Sequence, residues 1–158
     1  MEPKIITREE IKLIGMQYIG NNSNGEIPKL WENFLPRIEE IKNQSGECVC
    51  YGVCECLCEG ECKCGCGGDF SYIAAREVSS FDDVPEGMIT RTIPASKYAV
   101  FTHKGLLESL NKTFEDIYSK WIPAAGLEIA GSYDFEYYDE QFKDFAPDSE
   151  LDIYVPVK

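Results

Sequence analysis

The sequence has little basic charge and a single histidine, His103: 15 lysines and arginines stand against 28 aspartates and glutamates. The formal net charge of −13 disfavours direct contact with nucleic acid, because an acidic surface repels phosphate backbones, and it favours cationic partners. No stretch approaches the roughly 20 apolar residues of a membrane-spanning helix, and the N-terminus has no apolar segment typical of a secretion signal. We therefore expect a cytoplasmic protein without direct nucleic-acid or membrane contacts.

Common catalytic motifs are also missing. The sequence contains no Gly-x-Ser-x-Gly elbow, no glycine-rich phosphate loop and no His-Glu-x-x-His motif. A catalytic triad would have to use His103, and nothing in the sequence places a serine beside it. Because His103 stands at the end of a predicted strand, a structural role is the simpler interpretation.

What is present is enough for one globular domain. The 158 residues are 44% apolar and 27% charged, which are ordinary values, and a chain of this length can bury a core without disulfides. No shift in composition and no proline- or serine-rich linker marks a boundary. We expect residues 1–158 to form a single domain.

Hydrophobic patterns predict two rounds of one strand, one helix and two strands. The first helix begins near Pro28 and carries apolar residues at gaps of three and four, while Pro36 should kink or weaken it. Two such halves predict an α+β fold, in which an antiparallel sheet carries two helices and a central groove. The predicted strands are 12–19, 49–56, 69–78, 88–103 (one or two strands, broken near Pro94), 133–138 and 151–157, and the helices run from residue 27 and over 106–121.

All eight cysteines fall in one 19-residue window, and the rest of the chain has none. In an extended chain, residues two apart point the same way, so a C-x-C pair presents two sulfurs to one side. Dense cysteine in a reducing compartment is typical of metal ligands rather than of structural disulfides. The candidate ligands are Cys48, Cys50, Cys54, Cys56, Cys58, Cys62, Cys64 and Cys66.

Eight thiolates match two tetrahedral zinc sites of four cysteines each, or one cluster with bridging sulfurs, and soft thiolate also suits Cu(I). The segment is locally similar to metallothioneins. Two alternatives stay open: disulfides between non-adjacent cysteines across a hairpin, and a plain strand position for Cys54. We predict a metal-binding hairpin at about residues 48–68, with zinc as the expected ion.

A series of motifs spread along almost the whole chain resembles the GyrI-like family, also known as the AraC-type effector-binding or bacterial transcription activator effector-binding domain. The motifs occur in the order that the family shows. They are Leu30–Phe34, Tyr51–Cys54, Asp69–Val78, Val84–Met88, Ile93–Gly105, Ile117–Tyr118 with Trp121, Asp134–Asp139 and Asp152–Val157. The sequence departs from the family between Cys48 and Gly68, where a short turn is usual.

The resemblance implies a duplicated β-α-β-β fold whose central groove binds small, often cationic and aromatic molecules. It places a glutamate, here Glu136, at the floor of the groove. Some members are fused to a DNA-binding helix-turn-helix domain, for which 158 residues leave no room, so we expect a stand-alone member. Stand-alone members are implied to bind toxic compounds, to hydrolyse reactive small molecules, or to act on a partner protein such as gyrase.

A carboxylate among aromatic rings attracts a lipophilic cation through both its charge and the ring faces. Desolvation in such a groove would raise the pKa of Glu136. The alternative to this groove role is that Glu136 is a solvent-exposed residue of its strand. The predicted ligand-binding residues are Glu136, Trp31, Tyr51, Tyr72, Tyr98, Tyr138 and Tyr154, while Phe70 and Trp121 are expected in the core.

Two further functions stay open. One is a hydrolase in which Glu136 acts as general base on water and Tyr138 donates a proton. The other is a protein-interaction or metal-sensing module.

Overall fold

The computed structural model of the chain describes residues 2–20, 25–45, 49–56, 70–106, 109–131, 133–139 and 148–158. These residues form one antiparallel sheet of eight strands in the order β1-β6-β8-β7-β3-β4-β2-β5, with helical segments on one face. The strands are β1 Lys4–Arg8, β2 Ile11–Gly20, β3 Cys50–Cys56, β4 Phe70–Glu77, β5 Ile89–Ile93, β6 Ser96–Lys104, β7 Tyr133–Tyr138 and β8 Glu150–Val157. The helical segments are α1 Glu26–Phe34, a 3₁₀ helix Leu35–Glu40, α2 Leu110–Asp116, a π-helical turn Ile117–Trp121 and α3 Ile122–Ala124.

The predicted α+β class with an antiparallel sheet is confirmed. The segment 88–103 divides into β5 and β6 around Pro94, as its sequence suggested. Strand β1 was not predicted, because Lys4–Arg8 is short and carries charge at both ends. It pairs antiparallel with β6 at one edge of the sheet.

The first helix changes its winding next to Pro36. Helix α1 buries Leu30 and Phe34 against the sheet and ends at Phe34, and the chain continues as a 3₁₀ helix. Proline has no N–H to donate and its ring crowds the preceding turn, so an α-helix cannot run through this position undisturbed. The prediction that Pro36 weakens the helix is confirmed.

The second helical segment is likewise not a uniform α-helix. After α2 the chain forms the π-helical turn and the short α3, which bury Ile117 and Ile122 against β6 and β8. One-turn π-helical insertions are frequent at functional sites, because they shift the side chains around the helix axis. Here the turn places Tyr118 over the centre of the sheet, where it bonds to Asp134.

The sheet has two faces with different roles. On the helix face, α1 packs against β2 and β4, and the second helical segment packs against β6 and β8. On the opposite face, here called the tyrosine face, lies a cluster that includes Tyr51, Tyr98 and Tyr154. Among the described residues, no helix is both long and apolar enough to cross a membrane.

Candidate functional site

The middle of the helix face lies between the two helix-covered halves of the sheet. Strands β3 and β7 are neighbours there, and their register places Gly52 opposite Glu136. Successive residues of a strand point to opposite faces, so alternate positions share the helix face. We call this set the central strip: Cys50, Gly52 and Cys54 of β3 opposite Tyr138, Glu136 and Asp134 of β7.

Glu136 is the charged group at the centre of the strip. Its side chain is only 7% exposed. The Tyr72 hydroxyl donates to Glu136 Oε2 at 2.7 Å, and the Tyr138 hydroxyl donates to the same oxygen at 2.5 Å. Trp31 Nε1–H in turn donates to the Tyr72 oxygen at 3.1 Å. A relay of hydrogen bonds thus runs from helix α1 to the carboxylate.

Burial sets the acid–base behaviour of this group. Desolvation raises the pKa of Glu136 above its ordinary value, and the hydrogen bonds from Tyr138 and Tyr72 partly oppose that rise. The pKa of the Tyr72 hydroxyl is raised well above its usual value by burial and by the neighbouring carboxylate. Tyr72 therefore remains a hydrogen-bond donor at neutral pH.

Aromatic rings surround the carboxylate on the α1 side. The indole of Trp31 meets the ring of Tyr138 edge to face, with centroids 5.3 Å apart, and the ring of Tyr72 at 6.4 Å. Each ring joins an apolar body to a polar tip. Chemically, a desolvated negative charge beside such rings suits a cation that carries apolar surface.

Gly52 makes the close approach of Tyr72 and Glu136 possible. A Cβ atom at this position would lie 2.2 Å from the Tyr72 oxygen and 2.7 Å from Glu136 Oε2. No real Cβ tolerates such distances, so any other residue would displace the pair. The sequence signal was available, because an isolated glycine inside a strand often marks a close approach.

Asp134 is a second carboxylate on the strip. It is 1% exposed and accepts a short hydrogen bond from the hydroxyl of Tyr118 on the π-helical turn. Sequence reasoning identified neither residue as part of a site. The alternation along β7 placed Asp134 on the face of Glu136, but only the packed helix shows that Tyr118 reaches it.

The structure brings four of the predicted ligand-binding residues together: Glu136, Trp31, Tyr72 and Tyr138. It does not bring Tyr51, Tyr98 or Tyr154 to them, because these three side chains lie on the tyrosine face. The tyrosine face is separated from Glu136 by the sheet itself. The register between strands, which the sequence does not reveal, decides which of the predicted tyrosines share a face with Glu136.

Arg8 organises the tyrosine face. Its guanidinium lies over the rings of Tyr137 and Tyr154 at 5.6 Å each and donates to the Tyr51 oxygen at 3.3 Å. The Tyr51 hydroxyl donates to Glu77 Oε2 at 2.9 Å. We call the three rings around the Arg8 guanidinium, those of Tyr51, Tyr137 and Tyr154, the Arg8 cage. Burial raises the pKa of the Tyr51 hydroxyl, so this hydroxyl stays protonated in the cage. The protein's own arginine thus occupies the cage, and no sequence motif pointed to it.

The remaining aromatic residues and the histidine have structural positions. Trp121 stacks on Phe101, and Phe70 packs edge to face with Tyr18. Both were expected in the core, and both are half-buried against the edge of a core cluster. His103 is buried and contacts the hydroxyl of Thr113 and the carbonyl oxygen of Leu106. These contacts tie α2 to β6 and leave His103 away from Glu136.

The predicted metal ligands fall mostly outside the described residues. Outside the described residues lie Cys48, Cys58, Cys62, Cys64, Cys66 and the side chain of Cys56. Cys50 and Cys54 both belong to β3, where Arg76 Nη1 donates to Cys50 Sγ at 3.7 Å and Cys54 packs near α1. Four strand residues span roughly 13 Å, so these two sulfurs cannot bind one tetrahedral ion. Within the described ranges, no group of three or more His, Cys, Asp or Glu side chains could hold a metal.

Comparison with known proteins identifies the family. The family model of Cass2, an integron-associated effector-binding protein, matches residues 4–157. The transcriptional regulator BrlR of Pseudomonas aeruginosa is 39% identical over 158 residues, which cover 99% of this chain and 56% of the regulator. The chain therefore spans little more than half the length of this relative.

Solved structures show the same fold at lower identity. SAV2435 bound to tetraphenylphosphonium superimposes with a TM-score of 0.75 at 19% identity, covering 100% of this chain and 94% of that one. A Vibrio cholerae integron cassette protein gives 0.68 at 19% identity, covering 100% and 97%. The EcmrR C-terminal domain gives 0.69 at 18% identity, covering 99% and 97%. The chain belongs to the Cass2 family of integron-associated effector-binding proteins, and its architecture is the GyrI-like fold that its motifs predicted.

Proposed function

We propose that this effector-binding domain binds lipophilic, aromatic cations on the central strip, with Glu136 as the counter-charge. The observation that carries the proposal is the buried Glu136 carboxylate, which two tyrosine hydroxyls hold in place beside Trp31. A negative charge this far from water is costly unless a positive charge compensates it. Among the described residues, no lysine or arginine forms an ion pair with Glu136. A bound cation would supply that charge.

The chemistry of a relative agrees with this proposal. SAV2435 was solved with tetraphenylphosphonium, a cation whose charge is surrounded by four phenyl groups. Such a ligand loses little hydration when it leaves water and offers apolar surface to Trp31 and Tyr138. The proposed gain is therefore electrostatic at Glu136 and hydrophobic at the rings.

Titration with tetraphenylphosphonium tests the proposal, with binding followed by calorimetry or tryptophan fluorescence. We expect Glu136→Gln to weaken binding roughly 10- to 100-fold, because it removes the charge and keeps the shape. Asp152→Asn is the matched control: Asp152 lies on the neighbouring strand β8 and accepts a hydrogen bond from Thr102, which asparagine preserves. Equal affinity of the Glu136→Gln variant and the wild-type protein would refute the proposal.

Hydrolysis of a reactive small molecule is the second candidate. The raised pKa of Glu136 suits a general base, and the Tyr138 hydroxyl lies within hydrogen-bond distance of it as the candidate proton donor. The readout is turnover: if a substrate is found, Glu136→Gln should abolish turnover while ligand affinity remains. A protein-interaction role would be favoured only if the protein shows neither affinity for small molecules nor turnover.

For the cysteine-rich segment we propose thiolate coordination of a soft metal ion, zinc in the first instance. The support is the C-x-C spacing; the positions of Cys50 and Cys54 in β3 favour the later cysteines as the main ligands. Elemental analysis and thiol counting on anaerobically purified protein test it. Less than one equivalent of any metal with eight titratable thiols would refute it.

The role of the domain in a larger system is also a proposal. EcmrR was solved in a complex with DNA, and this chain covers 57% of that chain. The high acidic charge still leads us to expect no direct DNA contact by these residues, so a transcriptional role would require a DNA-binding partner or segment. Retention on DNA at low salt would contradict that expectation.

A further inference from the structure

The two hydrogen bonds on Glu136 fall on one oxygen. Tyr72 and Tyr138 both donate to Oε2, at 2.7 and 2.5 Å. Among the described residues, no donor bonds to Oε1 of Glu136. A carboxylate oxygen has about two lone-pair directions, so two hydroxyl donors use the capacity of Oε2.

Strand β3 approaches the same oxygen closely at Gly52. A Cβ built on Gly52 would lie 2.7 Å from Oε2, and Oε1 is not among the three atoms nearest to it. The Tyr72 hydroxyl is fixed from the other side by the indole N–H of Trp31. Oε2 is thus held by the protein, and Oε1 is the oxygen that a ligand can use.

We propose that Glu136 offers a ligand one oxygen, so that the site selects cations with a single N–H donor, or with none, over guanidinium and amidinium groups. A fork of two parallel N–H groups gains its strength by bonding both oxygens of a carboxylate. Here the second N–H would face an occupied Oε2 and would lose water without gaining an acceptor. A tertiary ammonium, or a cation with buried charge, loses nothing in this way. This inference rests on the proposed function, because it concerns the same site.

Tyr138 is the residue whose hydroxyl most directly tests this selectivity. Its removal leaves Oε2 with one donor and therefore reopens a place for a second N–H of the ligand. Tyr72 is less suitable, since its oxygen also accepts the Trp31 N–H, which a phenylalanine would leave without that bond.

The experiment compares two ligands that share a naphthyl group, one ending in a diethylaminomethyl group (protonated at neutral pH) and one in an amidinium. We expect wild-type protein to bind the tertiary ammonium roughly tenfold more tightly. Tyr138→Phe should reduce this ratio several-fold, whatever its effect on each affinity. The control is Tyr154→Phe, which removes a hydroxyl from the tyrosine face and should leave the ratio unchanged.

Tetraphenylphosphonium separates the possible failures. If it binds and the amidinium binds as tightly as the ammonium, or the ratio is unaffected by Tyr138→Phe, the one-oxygen inference is wrong and the proposed function survives. If tetraphenylphosphonium and both naphthyl ligands fail to bind to folded protein, the one-oxygen inference and the proposed function are both wrong. Circular dichroism of each variant establishes that the protein is folded.

Discussion

At the scale of single residues, Glu136 combines a negative charge with almost complete burial. Burial disfavours its charged form, and the hydroxyls of Tyr72 and Tyr138 stabilise that form only in part, so its pKa is raised. The group is therefore less stable as a carboxylate in the folded protein than in the unfolded chain. This difference makes both folding and ligand binding depend on pH.

The unfolding free energy of the ligand-free protein should fall as pH rises from about 4.5, the ordinary pKa of a glutamate, through the raised pKa of Glu136 in the folded state. In that window the folded state holds a proton that the unfolded state has lost, so unfolding releases protons and is favoured by high pH. The loss amounts to about 1.4 kcal/mol for each tenfold difference in the acid dissociation constant of Glu136 between the folded and unfolded states. Below this window both states are protonated, and above the raised pKa the loss is constant.

Urea unfolding of wild-type protein and Glu136→Gln across this pH range measures the effect as a difference between the two curves. Affinity for tetraphenylphosphonium should change in the opposite direction, rising with pH, because the cation binds the charged form. Parallel stability curves for the two proteins would show that the pKa of Glu136 is the same in the folded and unfolded states.

At the scale of elements, strand β3 serves both faces of the sheet. Tyr51 belongs to the cage of Arg8, and the next residue, Gly52, lies beneath Glu136 on the other face. The strand also contains Cys50 and Cys54, and beyond Cys56 the chain enters the rest of the cysteine-rich segment. A single strand therefore connects the candidate ligand site with the predicted metal-binding segment.

Gly52→Ala should damage the site more than the fold. The added methyl group would push apart Tyr72 and Glu136, and overpacking of this kind typically costs about 1–3 kcal/mol. We expect tetraphenylphosphonium to bind roughly tenfold more weakly, because the carboxylate is displaced. Calorimetric titration and urea unfolding measure the two effects.

Gly20→Ala is the control for this change. Its Cβ would also come within 2.2 Å of a tyrosine oxygen, that of Tyr18, but at the end of β2 and away from Glu136. Unchanged affinity in this variant, together with a loss in Gly52→Ala, locates the effect at the site. Equal losses of tetraphenylphosphonium affinity in both variants would point to a general disturbance of the sheet.

At the scale of the whole molecule, Arg8 ties an edge strand to the centre of the sheet. Strand β1 pairs only with β6 among the described strands, yet its last residue contacts tyrosines of β3, β7 and β8. A guanidinium that stacks on rings and donates a hydrogen bond is poorly replaced by lysine. The cage therefore holds β1 against the cluster on the tyrosine face.

Arg8→Met should lower the unfolding free energy by about 1–3 kcal/mol, since it removes the cation–π contacts and the hydrogen bond to Tyr51 but keeps an apolar stem. Lys12→Met is the control, because Lys12 lies over the ring of Phe81 alone, at 5.9 Å. Urea unfolding compares the two variants. A loss no greater than that of the control would show that the cage contributes little to stability.

The amino-acid sequence by itself determined the family, the α+β class, the break at Pro36 and the facing of Asp134, Glu136 and Tyr138 on one side of β7. Each of these follows from local pattern, because alternation and helical periodicity relate residues within one element. The tertiary structure alone decided which strands are neighbours. That choice brings Tyr72 to Glu136 from 64 residues away and turns Tyr51, Tyr98 and Tyr154 to the other face. Register between strands is set by how the whole sheet and its helices pack, and no single segment of sequence contains that information.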